Sequence, residues 1–292
     1  MLALLAVLAC ACGSPAIVYI SDPLYERIDE GRFAQSLARA SSERGYSLRR
    51  LAPARDESAI LDAVSLSDTR LFVLSPLAAS FAQSLRAARP GSLVAVADAA
   101  GLGEPGVGAF YVLSEPIQAI ERAGRFMRAY LEEMDARGEA QSLAATLIAG
   151  SGQDASAREE SVRRAFEGFD QDRLRQFRYD SKEALRLASA ELKELDIAIA
   201  LVDARSDTRS ALDALPEYGV FLCVVCQSAM PPERRGIGLL IEPDRDAQAS
   251  EAVSALLEGR AGSVRVPMLL RLSDWGRARA AAIFDKALKA LF

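Results

Sequence analysis

From Ala16 onward, short apolar runs alternate with stretches whose apolar residues recur every three or four positions. AIVYI (16–20) reads as a strand that ends in the turn Ser21-Asp22-Pro23. Helical spacing then runs from Leu24 to about Arg44 and stops at Gly45. YSLRRL (46–51), RLFVLS (70–75), LVAVAD (93–98) and AFYVL (109–113) are the next predicted strands. Helices are predicted over 56–66 and from Pro76 to Arg89, and a Gly-rich loop over 100–108. A long amphipathic helix follows from Ser114 to about Arg137, with Pro116 in the first turn, where a missing N–H costs nothing. The pattern then restarts. LAATLIAG (143–150), RQFRYD (175–180), IAIALVD (197–203), GVFLCVVC (219–226), GIGLLIEP (236–243) and VRVPMLLR (264–271) read as strands. Helices are predicted between and after them, over 155–169, 181–194, 207–215, 244–257 and 273–292.

Strands that alternate with helices of this length signal βαβ units and parallel sheets. Near-continuous apolar strands such as 197–202 and 219–225 imply burial on both faces. Two such series, separated by the long helix after residue 113, predict an α/β protein of two doubly wound parallel-sheet lobes. A chain of 292 residues is long enough for each lobe to have its own core.

Composition narrows the function. The formal charge is −5, and the arginines are interspersed with Asp and Glu, which argues against a nucleic-acid partner. Histidine is absent, so Ser-His-Asp and Cys-His catalysis are excluded, and the expectation is a protein that is not an enzyme. No metal or cofactor is expected. Cys223 and Cys226 lie in an apolar strand, where residues three apart point to opposite faces, so buried structural thiols are expected rather than a redox or metal pair. The 101–108 loop carries Pro105 and is a weak phosphate cradle.

The first residues, MLALLAVLACACGS, are an apolar run too short to span a bilayer but suited to the core of an export signal. The run resembles the lipobox of bacterial lipoproteins, in which a Cys after small residues is acylated and becomes the first residue of the mature chain. Two registers are open. Cys12 follows Ala11 and precedes Gly13-Ser14, and Cys10 follows Leu8-Ala9; Cys12 fits better. No Lys or Arg precedes the run, a departure from the usual signal. The resemblance implies export and a lipid anchor on a bacterial membrane, in the periplasm or on the outer face.

The order of elements resembles the type I periplasmic solute-binding proteins, the fold shared by ribose-binding proteins and the effector domains of the lactose-repressor family. VYISDPLYERIDEG is similar to that family's first strand and loop, and FVLSP (72–76) to its third strand. ATLIAGSG followed by RRAFEGF (163–169) resembles the opening of its second lobe. LDIAIALVDARSD and LLIEPDRDAQASEAV resemble the segments that end in Asn-Asp and Gln-Pro. There are departures: Val202-Asp203 stands for Asn-Asp, Glu242 for Gln, and Cys226-Gln227-Ser228 for Gly-Phe-Asp. The resemblance implies a signal and anchor over 1–14, one lobe of 15–114 plus 243–262, and a second of 115–242 plus 263–292. It implies a small-molecule solute clamped between lobes and delivered to the permease of an ABC transporter. No helix-turn-helix precedes the first strand here, so a repressor is not expected. The departures leave a second role open, as a degenerate sensor or interaction module of the envelope.

In open parallel sheets, ligands sit at the carboxyl ends of the strands. That rule selects Asp22 and Tyr25, Ser75, Asp98, Ser151 and Gln153, Asp203, Gln227 and Glu242, with Arg158, Arg163 or Arg164 as donors from the second lobe. Tyr25 offers a stacking face, and the carboxylates accept from hydroxyls or amines, so a polar, ring-bearing or aminated solute is expected. Plainer roles stay open. Asp22, Asp98 and Asp203 are favoured helix caps, Tyr25 suits a core or hinge contact, and arginines on the 157–165 helix suit a solvated face. Trp275 is expected to anchor the last helix by packing.

Overall fold

The computed structural model describes residues 15–51, 58, 61, 64, 69–97, 108–138, 142–204, 208–216, 219–226, 236–283, 289 and 291. The chain divides into two compact units, Met1–Ser114 with Asp244–Val266, and Glu115–Pro243 with Pro267–Phe292.

The first unit is built on β1 (Ala16–Ile20), β2 (Ser47–Leu51), β3 (Leu71–Leu74), β4 (Leu93–Val96) and β5 (Ala109–Glu115). They stand in the order β2-β1-β3-β4-β5, all neighbours parallel, and the start of β11 (Gly262–Leu272) lies beside β5. Because the strands are buried on both faces, alternate side chains feed different cores. Ile17 and Tyr19 of β1 join Phe33 and Leu37 of α2 (Arg32–Glu43) and the inner residues of α8 (Arg245–Glu258). Val18 and Ile20 face the opposite way, onto Leu85 of α3 (Ala82–Ala88). The buried residues of α2 (Phe33, Ala34, Ser36, Leu37, Ala40, Ser41) recur at helical spacing and form one stripe, which packs on α8. At the outer edge, β2 exposes Arg49 and Arg50, charges that discourage pairing with another strand.

The helix predicted from Leu24 to Arg44 is interrupted. Glu30 and Gly31 both take left-handed backbone, with φ of 54° and 68°, and separate α1 (Pro23–Asp29) from α2. The buried Asp29 carboxylate receives the Phe33 amide at 2.6 Å and so restarts the helix. The helix predicted after Pro76 likewise opens as a 3₁₀ turn, Pro76–Phe81, before α3. The 56–66 helix and the 100–108 loop fall largely outside the described residues.

The second unit repeats the plan. Its strands are β6 (Leu143–Ala149), β7 (Leu174–Tyr179), β8 (Ile197–Asp203), β9 (Phe221–Val225) and β10 (Ile237–Pro243), in the order β7-β6-β8-β9-β10 and parallel throughout. The end of β11 adds antiparallel to β10. On one face α4 (Ile117–Ala136) and α5 (Gln153–Ala165) cover Ile199, Leu201, Phe221 and Cys223. On the other, α6 (Lys182–Glu194) and α7 (Thr208–Asp213) cover Ala200, Val202, Leu222 and Cys226. Cys223 and Cys226 therefore serve opposite cores, as their spacing in a strand requires.

The last helix, α9 (Asp274–Ile283), lies close against β10. Ser273 donates its backbone N–H to the Gly238 carbonyl at 2.9 Å and its hydroxyl to the Ile237 carbonyl at 2.6 Å. A methyl group at Gly276 would overlap the Gly238 carbonyl, and one at Gly238 would overlap the Phe221 ring. Trp275 lies with its ring centroid 5.5 Å from that of Phe221 while staying partly exposed. Gly276→Ala should therefore cost about 1–3 kcal/mol through overpacking. Urea unfolding measures this, and an unchanged midpoint would mean that α9 can stand off from β10 at no cost.

Candidate functional site

Both units share one strand order, and each reverses direction at one point: between β1 and β3 in the first, and between β6 and β8 in the second. Chain leaving two neighbouring strands there departs to opposite faces, which opens a crevice at the carboxyl ends. The two reversal points are closed by different chemistry.

In the first unit, β1 runs out at Ser21, and Asp22 caps α1. Its Oδ1 accepts from the amides of Leu24 at 2.7 Å and Tyr25 at 3.4 Å. The amide of Asp22 donates to Ser75 Oγ, just past β3, at 3.0 Å. Ser75 is fully buried. The two loops are thus stitched together by a cap and one hydrogen bond. Tyr25 is placed in the core, 3% exposed, with the guanidinium of Arg245 5.7 Å from its ring centroid.

In the second unit, Arg158 of α5 reaches back across the end of the sheet. It is 1% exposed and forms an ion pair with Asp203, the last residue of β8, which is fully buried. Its other nitrogens donate to the carbonyls of Ala149 at 3.0 Å and Asp154 at 3.2 Å, and meet the Asp154 carboxylate at 3.3 Å. One guanidinium therefore satisfies a strand-end carbonyl, a helix carbonyl and two carboxylates. Asp203 is held by this cation. Ser151 and Gln153 lie exposed at the start of α5.

The remaining expected residues are dispersed. Arg163 lies in the last turn of α5, about 15 Å along the axis from Gln153 at 1.5 Å per residue. It pairs with Glu160 at 2.6 Å, and Arg164 with Glu121 of α4 at 3.7 Å. Both remain half exposed, away from the reversal point. Glu242 on β10 receives a two-pronged contact from Arg271 of β11, at 2.7 and 3.1 Å. Asp98, Gln227, Cys10 and Cys12 lie outside the described residues.

Of the four acids behind the expectation of an aminated solute, Asp203 and Glu242 each face an arginine and Asp22 is engaged by a helix N-terminus, while Asp98 lies outside the described residues. Sequence reading missed Arg271 because its partner is 29 residues away on an antiparallel neighbour.

A second buried network was also not foreseen. Arg245, the first residue of α8, contacts Asp29 at 2.8 Å and donates to Gln248 Oε1 at 2.9 Å. Gln248 Nε2 donates to Ser114 Oγ at 2.9 Å. Ser114 is the last residue of the first unit before the chain leaves it, and Arg245 lies just after it returns. The network thus anchors both crossing segments to α1. Burial pushes the Asp29 carboxyl above its ordinary range, against the pull of Arg245 and the Phe33 amide.

Burial pushes the Cys223 thiol well up, so it stays protonated. Among the described residues, no cluster of His, Cys, Asp and Glu suits a metal ion, and no helix is long and apolar enough to cross a membrane.

No protein-family model matches the chain, and no curated protein matches it in sequence. Solved structures do match. A periplasmic ribose ABC transporter protein from Conexibacter woesei aligns with a TM-score of 0.57 at 13% identity, over 96% of this chain and 98% of that one. An ABC transporter solute-binding protein from Aeropyrum pernix gives 0.55 at 16% identity, over 95% and 84%. A LacI-family transcription repressor from Corynebacterium glutamicum gives 0.52 at 15% identity, over 89% and 98%. The chain has the α/β periplasmic-binding-protein type I fold, with parallel sheets.

The Arg158–Asp203 pair yields a sharp expectation. Arg158→Met leaves a buried carboxylate without its cation and should cost about 3–5 kcal/mol, whereas replacing both partners by apolar residues should cost much less. Urea titration of Arg158→Met, Asp203→Leu and the double variant measures this. Additive losses would show that the two side chains act independently.

Proposed function

We propose that this protein is a solute receptor of an ABC-type uptake system, held in a bacterial cell envelope by a lipid on Cys12 or Cys10. The reading is carried by one observation: the chain follows, over nearly its whole length, the fold of proteins named as ABC solute-binding proteins and a ribose transporter component. The lipobox-like start supports export and anchoring, and so favours receptor over repressor among functions that share the fold. The partners are then a small polar solute and a transporter permease.

The chemistry agrees with binding rather than turnover. The chain has no histidine and Cys223 is buried, and at the strand ends Asp203 and Glu242 are each paired with an arginine while Asp22 caps a helix. Such groups orient a ligand or hold loops; they are poorly suited to proton transfer.

Internal pairing of Asp203 and Glu242 also favours a second reading, a degenerate binding fold that senses or contacts another envelope protein. Native mass spectrometry of protein purified without denaturation separates the two. The receptor reading expects one small molecule per chain, and a stabilisation of about 2.7 kcal/mol when that solute is added at a hundredfold excess over its Kd. An empty protein that ignores a broad thermal-shift panel, yet cross-links to one envelope partner, would replace the receptor by the interaction module.

A further inference from the structure

We infer that Asp29 and Arg245 form an acid-released latch: protonation of Asp29 loosens the chain at Ser114 and at Arg245, where it leaves the first unit and returns to it. The inference holds whatever the protein binds.

The latch joins side chains from three parts of the first unit. Asp29 ends α1, Arg245 and Gln248 lie in the first turn of α8, and Ser114 lies near the end of β5. Asp29, Arg245 and Gln248 are buried. Arg245 Nε meets Asp29 Oδ1 at 2.8 Å but off the hydrogen-bond direction, so the two are held largely by charge. The other Asp29 oxygen accepts from the Phe33 amide at 2.6 Å. Arg245 donates to Gln248 Oε1 at 2.9 Å, and Gln248 Nε2 donates to Ser114 Oγ at 2.9 Å. The chain passes between the units at three points. Two of them are thus tied to one carboxylate, and the third falls within β11.

Neither net stability nor helix chemistry accounts for an arginine at this place. A buried ion pair adds little over an apolar substitute. A cation in the first turn opposes the helix dipole, and α8 already has its cap in Asp244, which accepts from the Ala247 amide at 2.9 Å. Asp29, by contrast, is supported by the start of α2. Arg245 is therefore held inside against both desolvation and its own helix, and the charge of Asp29 is a force that keeps it there.

Around Asp29 stand Arg245 of α8, Arg32 of α2 and Tyr19 of β1, with Tyr25 and Glu26 of α1 facing Tyr19. Burial pushes Tyr19 far up, so it stays a phenol, and Glu26 meets Arg50 of β2 at 3.6 Å. Burial also raises the Asp29 carboxyl, against the pull of Arg245, the Phe33 amide and Arg32. Removing Arg245 raises it further, so the released form binds the proton more tightly and acid favours release. Because Asp29 is already raised in the fold, protonating it does not favour unfolding, and the change stays local.

The test is hydrogen exchange of the full chain, corrected for the pH dependence of the chemical step. It is read on peptides spanning 112–118 and 244–249, with β9 as the reference. From about pH 7 down to about pH 4, opening of both crossing peptides should rise by up to about tenfold per pH unit where Asp29 takes up its proton, while β9 stays protected. Asp29→Asn and Arg245→Gln should each show the fast exchange at neutral pH and lose the pH response. Flat protection of both peptides in the wild type overturns the inference, and so does a parallel rise in β9, which is general loosening by acid. Wild-type protection in Asp29→Asn, or a pH response that survives in Arg245→Gln, overturns it as well. The wild-type series needs no variant to fold and decides by itself.

Discussion

A parallel strand cannot turn back onto its neighbour; it must leave the sheet, cross over through a helix and re-enter at the same edge. That single constraint organises each unit. It sends every strand-to-helix loop to the carboxyl edge and every return to the amino edge. It also leaves one gap per sheet, where successive crossovers take opposite faces. The apolar cores follow from it, because strands covered on both sides must be apolar on both sides, as Ile197–Asp203 is along its whole length. The gap is where hydrogen-bonding groups of the loops have no regular partner, so it must be closed by side chains or by something bound.

The two units close their gaps in different currencies. At β1 and β3 the closure is local and inexpensive: an aspartate cap and a serine hydroxyl, groups that stay near water and need little desolvation. At β6 and β8 it is an ion pair taken wholly out of solvent. Desolvating both charges offsets most of their attraction, so the pair adds little net stability over an apolar substitute, but breaking it is costly. Its value is geometric. Arg158 holds the Ala149 carbonyl, α5 and the end of β8 in one arrangement, and the exposed start of α5 is positioned by it. The Arg245 network does the same for the crossing segments of the first unit.

How far the sequence could be read depends on the range of the interaction concerned. Strands AIVYI and IAIALVD were legible to the residue, because burial on two faces writes itself into every position. The fold class followed from their alternation with helices. The break at Glu30–Gly31 was not legible: periodicity runs through it, and the carboxylate that restarts the helix is held by Arg245, more than two hundred residues later. The candidate site shows the same division. The cap role of Asp22 could be weighed from its place before a helix, whereas Asp203, weighed as a cap, meets Arg158 across the sheet, and Glu242 meets Arg271. Charge at a strand end can be counted in a sequence, but its compensation cannot.

The fold is indifferent to how its strand-end charges are compensated. It needs alternation, crossovers and a closed gap, which is why chains with little residue identity adopt it while their strand ends carry different side chains. In this chain Asp22 and Ser75 at one strand-order reversal, and Arg158 and Asp203 at the other, hold the loops.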